Sequence, residues 1–168
     1  MTLRFDPKCL YLGMICLLCS SCYNFKGISI PPEINSYYVE TFSLIDQSAP
    51  ADLHQLFTER LREKIREESR LVNDNDDPDV VFTGSVKSFS IIEAAPQEDN
   101  TVSLNRLQIT VEVQYSNERD EESNWKKSYN AFEDFDATID LQSIQDGIIE
   151  NLIEDMTERI FNDSFTNW

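Results

Sequence analysis

Four cysteines fall within the first 22 residues, Cys9, Cys16, Cys19 and Cys22, and the last three follow the spacing Cys-x2-Cys-x2-Cys. Thiolates at such intervals can wrap one soft metal ion. A zinc or iron–sulfur site also needs a further thiolate or imidazole, and after Cys22 the chain offers no cysteine and a single histidine, His54. The set cannot be completed locally, so no metal ligand is assigned. The second chemistry open to a cysteine here is acylation. Arg4 and Lys8 give a positive start, residues 9–18 are uncharged and mostly apolar, and Ser20 and Ser21 stand directly before Cys22. This is the layout of a secretory signal, and an apolar run of about ten residues is too short for a hydrocarbon core of ~30 Å. Two small residues before a cysteine suit a lipoprotein signal peptidase, although Cys19 stands where leucine is more usual. Cys19 as acceptor would put Leu18 at the small-residue position, a worse match. The sequence therefore predicts a signal peptide over 1–21 and a lipid attached to Cys22, against the alternatives of a free thiol or a metal cluster. No other cofactor is expected.

Catalytic constellations are sparse. His54 lies beside the apolar positions of a predicted helix, and no serine or carboxylate pairs with it by spacing. No Gly-rich phosphate loop, HExxH pair or nucleophile elbow occurs. The expectation is a protein that is not an enzyme. The acidic run 73–79, "NDNDDPD", has Pro78 where a calcium loop needs a ligand and no glycine for its turn, so it reads as a solvated turn.

Charge narrows the partners. The chain carries 14 Lys and Arg against 31 Asp and Glu, a net charge of -17. Removal of Arg4, Lys8 and Asp6 with the signal shifts the remaining 147 residues to 12 against 30, or -18. Such an excess opposes association with nucleic acid or anionic lipid through the whole surface. A domain of this size can stand on a packed core without disulfides.

The elements that must carry any function can be read in order. Residues 22–35 form an extended tether, since Pro31 and Pro32 remove backbone donors. Residues 36–168 read as one α+β domain. A strand near Tyr37–Phe42 precedes a helix over 51–68 marked by Leu53, Leu56, Phe57, Leu61 and Ile65. Strand sequence resumes at Val80, with an apolar parity change between 86 and 89 that predicts a bulge. In "NRLQITVEVQY" at 105–115, apolar and polar residues alternate strictly, so one face is covered and the other wet. A polar hairpin loop over 116–124 leads to a return strand from Trp125. Ser143 and Asp146 resemble a capping box before a helical stripe from Ile144 to Phe161. The predicted order is β-α-β-β-β-α, two helices on one face of a mostly antiparallel four-stranded sheet.

Two groups of cations stand out in this acidic chain. Arg60, Arg62, Lys64, Arg66 and Arg70 are interleaved with Glu59, Glu63, Glu67 and Glu68, which predicts a self-neutralised helix face. Lys126 and Lys127 follow Trp125 near the hairpin tip, with Glu121 and Glu122 close by, and could contact an anionic ligand.

The lipobox cysteine, the tether "CYNFKGISIPPEIN", the strand "NRLQITVEVQY", the return strand "YNAFEDFDA" and the closing "IFNDSFTNW" together resemble the Bacteroidetes branch of the LptE family, the lipopolysaccharide-assembly lipoproteins. The family often has glycine after the lipidated cysteine, where this chain has Tyr23. The resemblance implies an outer-membrane lipoprotein, facing the periplasm, that plugs an LptD-type β-barrel, assists its assembly and helps deliver lipopolysaccharide to the outer leaflet. Lipopolysaccharide is then the ligand for which Lys126 and Lys127 are candidates, and no family binding residue is carried over. The alternative is an unrelated periplasm-facing lipoprotein that holds a small apolar ligand in a cavity lined by Phe57, Ile109, Val111 and Leu152.

Overall fold

A computed structural model describes residues 29–94 and 103–166. Six strands and two α-helices follow in the order β1 (Ser36–Val39), β2 (Ser43–Leu44), α1 (Leu53–Glu68), β3 (Val72–Asn73), β4 (Val80–Glu93), β5 (Leu104–Asn117), β6 (Trp125–Asp136) and α2 (Gln145–Phe165). They form one mixed sheet of order β3-β1-β4-β5-β6, with β2 also paired to β4.

The α+β class and the two covering helices agree with the sequence, whereas a four-stranded, mostly antiparallel sheet does not describe this fold. β4, β5 and β6 are antiparallel, but β1 and β2 run parallel to β4, and β3 runs parallel to β1. The reason lies in α1. A chain that leaves β1, forms a helix of 16 residues and returns to the same sheet is carried back to the end where it started, which is how parallel strands are joined. β2 and β3 have only two residues each, too few for any periodicity to show.

The long hairpins follow from alternation. On β5, Leu107, Ile109, Val111, Val113 and Tyr115 all face the helices and are buried. The register between β4 and β5 shifts between Val86 and Ser88, the bulge expected there. Val80, Phe82 and Val86 point inward before it and Phe89 after it, so one extra residue restores a covered face to a strand of changed parity.

Both helices lie over this face. α1 buries Leu53, Phe57, Thr58, Leu61 and Ile65, and α2 buries a longer stripe from Ile148 to Phe165. The pairs Arg60–Glu150 and Lys64–Glu158 climb the two helices together, so the helices run in the same direction. The capping box expected at Ser143 does not form. Ile144 is the N-cap residue with no side-chain bond, and Ser143 instead donates its hydroxyl to the Asp140 carbonyl at 2.6 Å. A 3-10 turn, Leu141–Ser143, delivers the chain into α2 and takes up those side chains locally.

Phe42, between β1 and β2, dips into the core and stacks near Phe57, with ring centroids 5.2 Å apart. Its amide N–H donates to the Thr58 hydroxyl at 3.1 Å, and that hydroxyl donates to the His54 carbonyl at 2.7 Å. The ring can lie there because β4 has glycine beneath it. A Cβ on Gly84 would stand 2.5 Å from the Glu112 carbonyl oxygen and 2.6 Å from the Phe42 ring. Gly84→Ala should therefore lower stability by about 1–3 kcal/mol or more through overpacking. Gly147→Ala, which meets nothing within 4 Å in the first turn of α2, should be neutral or slightly stabilising. Urea midpoints of the two variants check the contrast.

Candidate functional site

Cys22, the predicted lipid attachment point, and the upstream part of the tether lie outside the described residues. The described end of the tether is held against the domain. The Ser29 N–H donates to the Phe165 carbonyl at 2.8 Å, and Ile34 is buried in the core. The chain therefore enters the domain beside the C-terminal end of α2.

The acidic turn beside this entry holds a buried anchor. Asp74 behaves as a turn residue, its carboxylate accepting the Asp76 amide at 2.9 Å. Asp79, however, is only 7% exposed and is a junction between segments far apart in sequence. Its Oδ2 accepts the amides of Asn35 at 2.8 Å and Ser36 at 3.1 Å, and its Oδ1 accepts the Arg119 guanidinium at 2.6 Å. The expectation of a wholly solvated turn fails at this residue, because the first position of β4 lies against the first residues of β1. The Asn35 amide lowers the Asp79 pKa against the opposing cost of burial, and with Arg119 and Ser36 it holds the carboxyl at about 2. Next to it, Asn117 organises the β5–β6 loop. Its backbone N–H donates to the Asn124 side chain at 2.6 Å, and its side-chain oxygen accepts the Arg119 amide at 2.8 Å.

Lys126 and Lys127 are adjacent in sequence but face opposite ways, since successive strand residues alternate across the sheet. Lys127 lies on the helix side. Its ammonium is 2.9 Å from an Asp163 carboxylate oxygen that also accepts the Tyr129 hydroxyl at 2.8 Å, and it stands 5.2 Å from the centre of the Trp125 ring. Burial raises the Tyr129 pKa, and the Asp163 carboxylate adds to it. Lys126 lies on the open side, 3.1 Å from Glu112, which Lys87 meets at the same distance. The two lysines thus form two separate ion-paired sites and do not converge.

The open face is the largest feature the sequence reading did not develop. From β4 it presents Thr83, Ser85, Lys87, Ser88, Ser90 and Ile92. From β5 come Arg106, Gln108, Thr110, Glu112 and Gln114, and from β6 Lys126, Ser128, Asn130, Phe132, Asp134 and Asp136. Three cations, Lys87, Arg106 and Lys126, balance three carboxylates, Glu112, Asp134 and Asp136, so this face is neutral in a chain of net charge -17. At its corner farthest from the hairpin loop, Arg106 donates two hydrogen bonds to Asp134, at 2.6 and 2.9 Å, and lies 3.8 Å from the centre of the exposed Phe132 ring. A sequence signal for this corner existed: Phe132 is an aromatic residue at a wet parity position of the return strand.

The α1 cations pair as expected. Arg60 bonds Glu63, Arg62 bonds Glu59, Lys64 bonds Glu68 and Glu158, and Arg66 bonds Glu63, while Arg70 donates to Asn35 and the Pro31 carbonyl. His54 is half-buried, and its Nδ1 has no partner. The residues named for an apolar ligand cavity, Phe57, Ile109, Val111 and Leu152, are all buried in one continuous core. The surface clefts are lined by other residues, the cleft at the tether entry, about 320 Å³, by Ser29, Ile34, Tyr115, Arg119 and Trp125 among them. Among the described residues no group of three or more His, Cys, Asp or Glu could hold a metal, and no helix is long and apolar enough to cross a membrane.

Two same-direction helices over a mixed sheet, with the sheet's other face polar and self-neutralised, define a small domain built around its surfaces. Its structural relatives share this architecture. A minor lipoprotein from Acinetobacter baumannii is 12% identical and superimposes with a TM-score of 0.51 over 77% of this chain and 91% of that one. A protein from Xanthomonas campestris is 10% identical, with a TM-score of 0.54 over 80% and 87%. A hypothetical protein from Chlamydia trachomatis is 10% identical, with a TM-score of 0.52 over 78% and 98%. These likenesses establish the fold. No curated protein matches the sequence. The sequence profile of the LptE family, lipopolysaccharide-assembly, matches residues 26–164, and the chain belongs to that family.

The Asp79 junction generates a pH prediction. A carboxyl held at about 2 in the folded state, against 3.8 ordinarily, stabilises the fold fully above pH ~4 and loses that contribution as pH falls toward 2. The contribution is on the order of 2 kcal/mol. Asp79→Asn should lower stability at pH 7 and flatten the acid limb between pH 4 and 2, as read by urea titrations across that range.

Proposed function

We propose that this protein is an outer-membrane lipoprotein, anchored through lipid on Cys22 and facing the periplasm, that binds and plugs an LptD-type β-barrel, assists its assembly and helps deliver lipopolysaccharide to the outer leaflet. The observation that carries the reading is family membership over residues 26–164. The physical design supports it. A plug needs a compact domain with a filled core and polar outer surfaces, and this chain has both. A lipid tether raises the local concentration of a membrane-embedded partner without adding contact area. The seven residues from Cys22 to Ile28 reach at most about 25 Å when extended, so the tether entry and the β5–β6 loop stay near the membrane surface. The role is binding and assembly, and the reading assigns no catalytic residue.

Affinity purification of the tagged, lipidated protein from detergent-solubilised envelope, with co-eluting proteins identified by mass spectrometry, tests this reading. A near-equimolar outer-membrane barrel is the expected result. Elution alone, with the barrel present in the same extract, would remove the plug role.

Lys126 and Lys127 are the cations proposed to meet lipopolysaccharide phosphate, one on each face of β6. Each phosphate would have to take the place of a carboxylate, Glu112 or Asp163. The double variant Lys126→Ala, Lys127→Ala should elute from immobilised lipopolysaccharide at lower salt than the parent protein. An unchanged elution position would exclude both lysines from the contact.

A further inference from the structure

The open face of β4, β5 and β6 carries a preorganised corner that nothing in the protein's own core uses. Phe132 is 52% exposed in the middle of a strand, and Ile92, which pairs in register with Arg106, is 49% exposed. Arg106 is clamped between the Phe132 ring and both oxygens of Asp134. Arginine and aromatic side chains dominate binding energy at protein interfaces, and groups already fixed in place lose little freedom on association.

We propose that this face, centred on Phe132 and Arg106, is the surface on which the domain docks against the polar inner wall of its barrel partner, an inference that rests on the function proposed above. Charge selects the occupant. The face is neutral, its three cations are paired with Glu112 and Asp134 and its third carboxylate, Asp136, is held by Thr138, so it can meet the polar wall of a barrel lumen without stranding a charge. The helix side sets five glutamates, Glu63, Glu67, Glu68, Glu150 and Glu154, against Arg60 and Lys64 around one cleft, a net acidic surface that would need a basic counterpart. Contact is through the face and not by strand addition along β6. Although β6 is an outer strand of the sheet, Arg159 of α2 donates to the Asn130 carbonyl at 2.8 Å in mid-strand and obstructs a continuous added ladder.

The test uses the full-length lipidated protein in cells. A photocrosslinking amino acid, p-benzoylphenylalanine, replaces Ser90, Gln108 or Ser128 on the open face, or Glu63 or Glu154 on the helix side, and adducts are identified by mass spectrometry after irradiation. Adducts to an outer-membrane barrel are expected to be severalfold more abundant from the open-face positions than from the helix side. In parallel, Phe132→Asp should reduce the co-purified barrel about tenfold while lowering the melting temperature by only a few degrees, since the side chain is exposed and its loss opens no cavity, although the Arg106 stacking is lost. Barrel adducts mainly from the helix side, or equally from both sides, would overturn this assignment while leaving the barrel partnership standing. Open-face adducts to lipopolysaccharide alone would also overturn it. A purified parent protein with no barrel at all would instead remove the function on which the inference depends.

Discussion

Alternation along β5 sends Leu107, Ile109, Val111, Val113 and Tyr115 to one side and Arg106, Gln108, Thr110, Glu112 and Gln114 to the other, and a shift of one residue would exchange the two sets. This parity constrains everything around it. The dry side must be covered, and α1 and α2 cover it with apolar stripes, the longer one on α2. The bulge at Val86–Ser88 exists because β4 changes parity along its length, and without it Phe89 would point toward water. Gly84 serves the same requirement, since Phe42 can seal the core only over a residue with no side chain.

The opposite side of the sheet is wet without being charged overall. Most of the acidic excess sits on α2 and in the loops near the tether entry, whereas the charges of the open face cancel. A single domain thereby offers two electrostatically distinct sides. The buried Asp79 carboxylate plays a different part. It ties the residue after the tether, the start of β4 and the β5–β6 loop into one rigid corner where the chain enters the domain.

Several of the site residues follow from local rules and several do not. The ion pairing of α1 is legible because glutamate and arginine three or four residues apart must be neighbours on a helix. That Lys126 and Lys127 separate is also legible, given a strand. The partners that occupy them are not, since Glu112 and Asp163 lie 14 and 36 residues away in sequence. The Asp79 junction spans 44 residues to Asn35 and 40 to Arg119, and among the six acidic or amide residues of 73–79 nothing local distinguishes the one that is buried.

The sequence by itself determined the two helices, the three long strands, the bulge, the covered face and the likeness to a family, because each is written in periodicity or in ordered motifs along the chain. Tertiary structure alone decided the parallel pairing of β1, the two short strands β2 and β3, the same-direction helices and the burial of Asp79. These depend on which segments meet across the sheet, and a two-residue strand or a single buried carboxylate leaves no period to read. The neutrality of the open face belongs to both: alternation names its residues, and the register across β4, β5 and β6 determines that their charges cancel.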